Sequence, residues 1–508
     1  DLIAVDRDTG SLVFLAEPEG LMLLDEKGIS WTVVQANHRD DRIDPQFMDY
    51  TDVTTQLGVY QSGYGTIMQR VALGQTFEGR TIWAAKISDN VAQEEPEPAI
   101  LFTGLHQARE IMSTEIAMDI VDYLCTNYSG NPTVQNWVNH CEIWVIPMLN
   151  PDGSNYCWTV DPYWIKNRCD LGGGVYGVDI GHNYPVDWGA CFGSSSDPNS
   201  NSYRGLNPGS ELETTALMTL AETHRPVMAV SYHSFNEYLL MPYGCFGETV
   251  PESSIMTPLA SQIASAIQKE NGQYGYEFGH WWELLYANDG NEIDYLYADI
   301  GTMPFAIEVN TSTYYPTYTL RNTTVTRNRP GWQEALDIMT GGSMLKGMFI
   351  DACTGAPVQA EFWWAAYPPS GKESARQSEA STGFYALLGN QGTNTLVIQA
   401  EGYQPMSVGV TLQNQPVIMD IELLPLDQPG LMIWDTYAHD SGGDNDGQLD
   451  PGETVELDVG IIAPGPAVTN ITGVLSSTDP YLTILDGTAS WVDLGPGESA
   501  WATERFQV

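Results

Sequence analysis

At 508 residues, with apolar side chains at 43% and aromatics at 11%, the chain exceeds one compact domain and holds enough apolar mass to exclude global disorder. Its 20 Lys and Arg against 65 Asp and Glu give a formal charge of -45, a surface that repels nucleic acid and anionic membrane and draws cations. No run of about eighteen apolar residues appears, so no membrane span is expected, and the acidity suits a salty extracellular medium.

Residues 1–45 alternate short apolar runs with acidic turns and read as a strand-rich segment, a propeptide remnant. The start at Asp1 without Met suggests a piece of a longer precursor. From 46 to 342 strands alternate with helices. Thr81–Ser88, Ala99–Leu105, Glu142–Leu149, Val227–His233 and Pro304–Val309 are short apolar runs of the fully buried kind. Between them, Ile116, Ile120 and Leu124 recur at helical spacing, and Ser210–His224 and Ser253–Lys269 read similarly. The pattern predicts an α/β fold: a mainly parallel mixed sheet with helices on both faces. After Gly341-Gly342 only short strands and turn residues follow, giving two small all-β sandwich domains at 343–426 and 427–508. Six of the 7 cysteines lie between Cys125 and Cys245 without a CxxC pair, which favours disulfides over a zinc ribbon and leaves Cys353 as a buried free thiol.

The residues suited to chemistry stand at strand ends. His106-Gln107-Ala108-Arg109-Glu110 joins a strand to a helix, His233 closes a second strand, and Glu308 interrupts the apolar run Pro304–Val309. In such sheets functional groups gather at the carboxyl ends of strands. A lone helix-start Glu can simply face the dipole, and a buried Glu can pair with an Arg. Taken together, a His and a Glu as ligands with a second Glu to activate water are what zinc hydrolysis needs.

These residues resemble the zinc carboxypeptidase family of the carboxypeptidase A type, along roughly residues 50–340. Phe77-Glu78-Gly79-Arg80-Thr81-Ile82-Trp83 looks like the family's opening strand, and Asn150-Pro151-Asp152-Gly153 like its turn after a central strand. The resemblance implies roles. Glu308 would be the general base and Arg168, in Lys166-Asn167-Arg168, the oxyanion electrophile. Tyr286 would be the substrate-capping tyrosine, Arg109 a substrate contact, and Ile293 the pocket floor favouring an apolar C-terminal residue.

Two positions depart from the family. The first zinc His belongs three residues before the zinc Glu, and that place is Gln107; the metal set would be Gln107, Glu110 and His233, with His106 as a substitute ligand if the backbone shifts. A neutral amide is a weaker zinc ligand than imidazole. The family's carboxylate clamp, an Asn-Arg pair, aligns with Gly181-His182, so a bidentate anchor is lost and His182 offers at most a weak anion contact or a replacement ligand.

Residues 343–426 resemble the transthyretin-like module that often follows such catalytic domains. In the last domain, counted from Gly442, Asp444, Asp446, Gln448, Asp450 and Glu453 take the oxygen-ligand spacing of a calcium loop with Gly447 at the sharp turn, and Asp440 or a backbone carbonyl fills the first position that Gly442 leaves without a carboxylate. The whole reads as a secreted or cell-surface, zinc- and calcium-dependent peptidase acting on peptide or protein C-termini. Two rivals are a catalytically weakened relative that binds peptides or serves as a structural protein, and a hydrolase of cell-wall peptides or other amide-linked groups.

Overall fold

The computed structural model describes residues 43–310, 313–426, 430–440, 452–477, 479 and 481–508, together with the backbone of 2–6 and 11–14. Leu2–Asp6 and Ser11–Phe14 pair as an antiparallel hairpin. The rest of the N-terminal segment lies outside the described residues.

The eight strands of the main sheet are β1 (Met68–Gln75), β2 (Thr81–Ile87), β3 (Ala99–Gly104), β4 (Glu142–Ile146), β5 (Met228–Ser234), β6 (Tyr238–Met241), β7 (Glu277–His280) and β8 (Met303–Val309). Their spatial order is β7-β6-β8-β5-β3-β4-β2-β1. The central four, β8, β5, β3 and β4, are parallel; β6 and β2 flank them antiparallel. Every residue of β3, β4, β5 and β8 is buried, as expected of strands covered on both faces. The pleat sends Ile100 and Phe102 into one core and Ala99 and Leu101 into another. Helices α1 (Tyr50–Tyr64), α2 (Ile111–Asn127), α4 (Ser253–Ala266) and α5 (Tyr318–Gly341) cover the first face, and α3 (Leu212–His224) covers the second. The mixed α/β sheet is therefore as expected.

The Asn150-Pro151-Asp152-Gly153 turn works as structure. Asn150 caps helix Pro151–Thr159, and the fully buried Asp152 accepts from Thr76 Oγ1 (2.7 Å) and Glu78 N (2.8 Å) and pairs with Arg80 (2.7 Å). It ties the β1–β2 hairpin to the end of β4.

Beyond residue 343 the chain is β-rich. One four-stranded sheet (Met344–Asp351, Phe384–Leu388, Val417–Ile418, Ile421–Leu423) shares a core with another (Glu361–Trp364, Arg376–Gln377, Gly392–Gln399, Met406–Leu412). Phe349 stacks on Tyr385 at 4.1 Å from the first sheet, and Phe362 of the second meets both at 5.6 and 5.5 Å. A further sheet of Met432–His439, Glu456–Ile462, Ser499–Trp501 and Phe506–Gln507 shares a small core with Trp491 and Leu494 through its own Ile461 and Phe506.

The cysteines need correction. Among the described residues one disulfide forms, Cys191–Cys245. Cys125, Cys141 and Cys157 are buried thiols and Cys169 is half-buried. The first three sit inside the apolar core, where they pack as small hydrophobes. Cys353 is exposed, contrary to the burial expected of it, because it lies in the surface turn that Asp351 caps through Cys353 N (2.8 Å).

Candidate active site

The carboxyl ends of β3, β5 and β8 lie side by side, and the register sets Glu308 of β8 directly across from His233 of β5. After β3 the chain turns sharply. Gly104 has no room for a side chain, since an added Cβ would lie 2.8 Å from the Ser113 carbonyl oxygen, and Leu105 takes φ +59. Leu105 N donates to Ser113 Oγ (2.8 Å), and Asn150 N and Nδ2 hold the Leu105 and His106 carbonyls at 3.1 Å each. This turn sends His106 inward, where it is fully buried, while Gln107 stays half-buried on a cavity wall. Glu110 stands at the head of α2, but its carboxylate makes no cap hydrogen bond. It is left free for the site.

His233 lies between two carboxylates. Its Nδ1 is 3.0 Å from Glu110 Oε2 and its Nε2 is 2.9 Å from Glu292 Oε1, with Ser231 Oγ 3.0 Å from the same Nε2. Burial favours a neutral ring, yet Glu110 and Glu292 hold the imidazole well above its ordinary range, so both N–H groups donate. Glu292 is buried too, which alone would raise it, but His106 and His233 hold its carboxyl well below the usual range. His106 stacks on His233 with ring centroids 5.5 Å apart, and its Nε2 meets the Tyr184 hydroxyl at 3.1 Å. Burial pushes His106 down to about 4 and keeps it neutral. Glu308, buried and close to Glu110, is pushed up to about 8.

A cavity of about 490 Å³ opens beside these groups. Gln107, Arg109, Glu110, His182, His233, Tyr286, Glu292 and Glu308 all line it. The Arg109 guanidinium lies 4.1 Å over the Tyr314 ring. His182 is tied back: its Nδ1 is 2.8 Å from the Asp289 carbonyl oxygen and its Nε2 3.9 Å from Asp179. Exposed Phe192 and Phe246 stand on the cavity beside the disulfide.

Two residues expected at the site lie elsewhere. Arg168 is absent from the cavity lining; its guanidinium sits over Tyr156 (3.9 Å), Tyr176 (4.5 Å) and Trp164 (4.9 Å) and pairs with Glu78 at 3.6 Å. Three rings and a carboxylate hold it on that side, and Ile165 of the same segment reaches the cavity instead. Ile293 is fully buried against Leu240, Trp281, Leu285 and Ala306 and does not line the cavity, whereas Trp281 and Leu285 do. Of the expected calcium ligands, Asp444, Asp446, Gln448 and Asp450 fall outside the described residues, while Asp440 and Glu453 belong to them. The sequence reading missed Glu292, whose neighbours Asn288, Asp289, Gly290 and Asn291 have the composition of a solvated turn.

The pattern of the zinc carboxypeptidase family matches residues 54–328. The chain belongs to that family. Carboxypeptidase A2 of Rattus norvegicus is 30% identical over 253 residues, covering 49% of this chain and 59% of the relative. Metallocarboxypeptidase A of Trichophyton tonsurans is 31% identical over 255 residues, covering 49% and 60%. The chain thus spans about 60% of the length of those curated relatives. A zinc carboxypeptidase of Saccharothrix mutabilis subsp. capreolus is 28% identical over 362 residues, covering 64% of this chain and 80% of the relative. Among solved structures, bovine thrombin-activatable fibrinolysis inhibitor, in complex with tick carboxypeptidase inhibitor, gives a TM-score of 0.53 at 21% identity, covering 58% of this chain and 97% of that one. Carboxypeptidase A from Helicoverpa armigera gives 0.52 at 22%, covering 64% and 80%. These likenesses show the shared fold.

Family membership implies zinc, and the donors can be tested for it. The positions that the resemblance assigned to the metal hold Gln107, Glu110 and His233, of which two are strong donors. A second set, His106, His233 and Glu292, brings one donor atom from each to within 4.8 Å of the others. Two imidazoles and a carboxylate are a chemistry that zinc accepts. The residues present therefore fit a metal ion.

Proposed function

We propose that this chain is a secreted, metal-dependent carboxypeptidase-type hydrolase that cleaves amide bonds near the C-terminal end of peptides or proteins. What carries the reading is the cavity wall that sets Glu308 beside Glu110, His233 and Arg109. A metal ion held in this site would lower the pKa of a water molecule and polarise the scissile carbonyl. Glu308 is placed to accept the proton of the attacking water and to return it to the leaving amine. Arg109, braced on Tyr314, is the cation available to a carboxylate or a developing oxyanion. Trp281, Leu285, Phe192 and Phe246 favour apolar side chains in the substrate. The disulfide and the absence, among the described residues, of any helix long and apolar enough to cross a membrane support an extracellular setting. The Asp440–Glu453 segment would hold calcium, which titration calorimetry against Asp450→Ala checks.

Hydrolysis of a blocked dipeptide ending in Phe tests the reading. Glu308→Gln should lower kcat by about 10²–10⁴-fold while metal content stays unchanged. A second reading, a weakened relative that binds peptides, is favoured by Gln107 and by His182 where a clamp Arg is expected. Peptide binding by the wild type without turnover of any blocked peptide would establish that one instead.

A further inference from the structure

The His233 ring offers a nitrogen to each of two carboxylates, and the two sides are not equal. Nδ1 meets Glu110, while Gln107, where the resemblance puts the first metal ligand, stands half-buried on the cavity wall. Nε2 meets Glu292, and the His106 ring stacks on the His233 ring, with Glu292 and His106 both almost fully buried. His106 Nδ1 and Glu292 Oε2 have no hydrogen-bond partner although both atoms are buried. A buried polar atom of this kind is destabilising unless something satisfies it. The turn that delivers His106 is itself strained: a left-handed conformation is unfavourable for a bulky leucine and persists at sites where function needs it.

We propose that this chain binds its divalent metal through His106, His233 Nε2 and Glu292 rather than through Gln107 and Glu110. The proposal rests on the metal-dependent hydrolase reading and names its ligand set. Tetrahedral zinc at about 2.0–2.1 Å from each ligand wants donors about 3.4 Å apart. The three donors lie within 4.8 Å of one another, and the His233–Glu292 pair at 2.9 Å opens by a few tenths of an ångström. With the metal on Nε2, His233 would keep its proton on Nδ1. Nδ1–H then donates to Glu110, which becomes the carboxylate that orients the metal-bearing imidazole. The Tyr184 hydroxyl orients His106 through Nε2 in the same way. Glu292 and His233 both line the cavity, so substrate or water can reach a fourth position from there.

X-ray absorption of the zinc-loaded full chain counts the imidazoles on the ion: two for this set, one for Gln107, Glu110 and His233. In parallel, zinc affinity is measured by competition with a chromophoric chelator. His106→Gln and Glu292→Gln should each weaken binding by more than 10-fold, and Gln107→Ala by less than twofold. Metal-free melting curves show whether each variant folds, and the wild-type imidazole count stands whatever the variants do. One imidazole, a loss confined to Gln107→Ala, or a wild type that takes up no zinc overturns the proposal. Two imidazoles with no amide hydrolysis would leave the site standing and overturn the hydrolase reading. Hydrolysis with one imidazole would do the reverse.

Discussion

At the scale of single residues, the most consequential charges outside the cavity surround Glu142. Its carboxylate accepts from Trp144 Nε1 (2.6 Å), pairs with Lys86 (2.6 Å) and meets His224 Nδ1 (3.0 Å), with Lys86 and Glu142 both buried. Burial alone would raise this carboxyl, but the bonds from His224, Lys86 and Trp144 hold it down to about 2 from 4.5. A depressed carboxylate contributes stability that is fully present above the unfolded value, and that stability fades as pH falls from about 4.5 to about 2. The contribution at neutral pH is at most about 3 kcal/mol. Glu142→Gln should therefore lie about 2–3 kcal/mol below the wild type at pH 7, with the gap closing through that acid window. Urea melts across pH read it, and a gap independent of pH would refute the assignment. Glu142 was not legible as special, because it opens an apolar strand where a charge can equally face solvent. Glu308 was legible, since a carboxylate in the middle of a fully apolar run has few inexpensive places to go. Glu292 was not, because its burial depends on helix Glu292–Tyr295 folding back over His106 and His233, residues far away in sequence. Arg168 misled for a related reason. Its motif was plain, but the aromatic rings that capture it come from Tyr156 and Tyr176 as well as from neighbouring Trp164.

At the scale of elements, the strand–helix alternation was read correctly because fully buried parallel strands are nearly continuous apolar runs. Loops between them carry no such period, and cysteine pairing within them cannot be read from spacing. The Cys191–Cys245 bridge joins two loops at the cavity, each followed by an exposed phenylalanine, Phe192 and Phe246. Cys191 N also donates to Asp289 Oδ2 at 3.1 Å, next to the carbonyl that holds His182. With the cysteines 54 positions apart in sequence, loop-closure entropy alone is worth about 4 kcal/mol. Cys191→Ser with Cys245→Ser should cost about 2–4 kcal/mol in stability, measured by denaturant melts with and without reductant. It should also raise KM for an apolar peptide more than it lowers kcat, because the aromatic rim loosens while Glu308 keeps its strand. An unchanged melting midpoint under reductant would show that the loops hold their places without the bridge.

At the scale of the whole molecule, the question is whether the first β-rich unit folds apart from the α/β unit. The apolar core runs continuously from Ile43 through the sheet and its helices to Leu423. Specific polar ties cross the seam. Arg376 donates to the Gly301 carbonyl (2.8 Å) and pairs with the buried Glu252 (2.7 Å), while Tyr243 Oη donates to Glu373 (2.6 Å). Lys372 bridges Asp187 and Glu248, near the second half of the disulfide. The seam is thus anchored by cations of the β-rich unit set into carboxylates of its acidic neighbour. Removing the cation of a buried pair leaves its carboxylate uncompensated, at about 3–5 kcal/mol. Arg376 is the stronger test, since its side chain is only 13% exposed against 28% for Lys372. The wild type should show one cooperative calorimetric transition covering residues 43–423. Arg376→Ala should lower its midpoint, because Glu252 and the Gly301 carbonyl lose their shared partner. Lys372→Ala, whose partners can return to water, should lower the midpoint by less and leave a single peak. Two separate peaks in the wild type would mean that the shared core does not couple the units, and a single unshifted peak in Arg376→Ala would mean that apolar contact alone holds the seam.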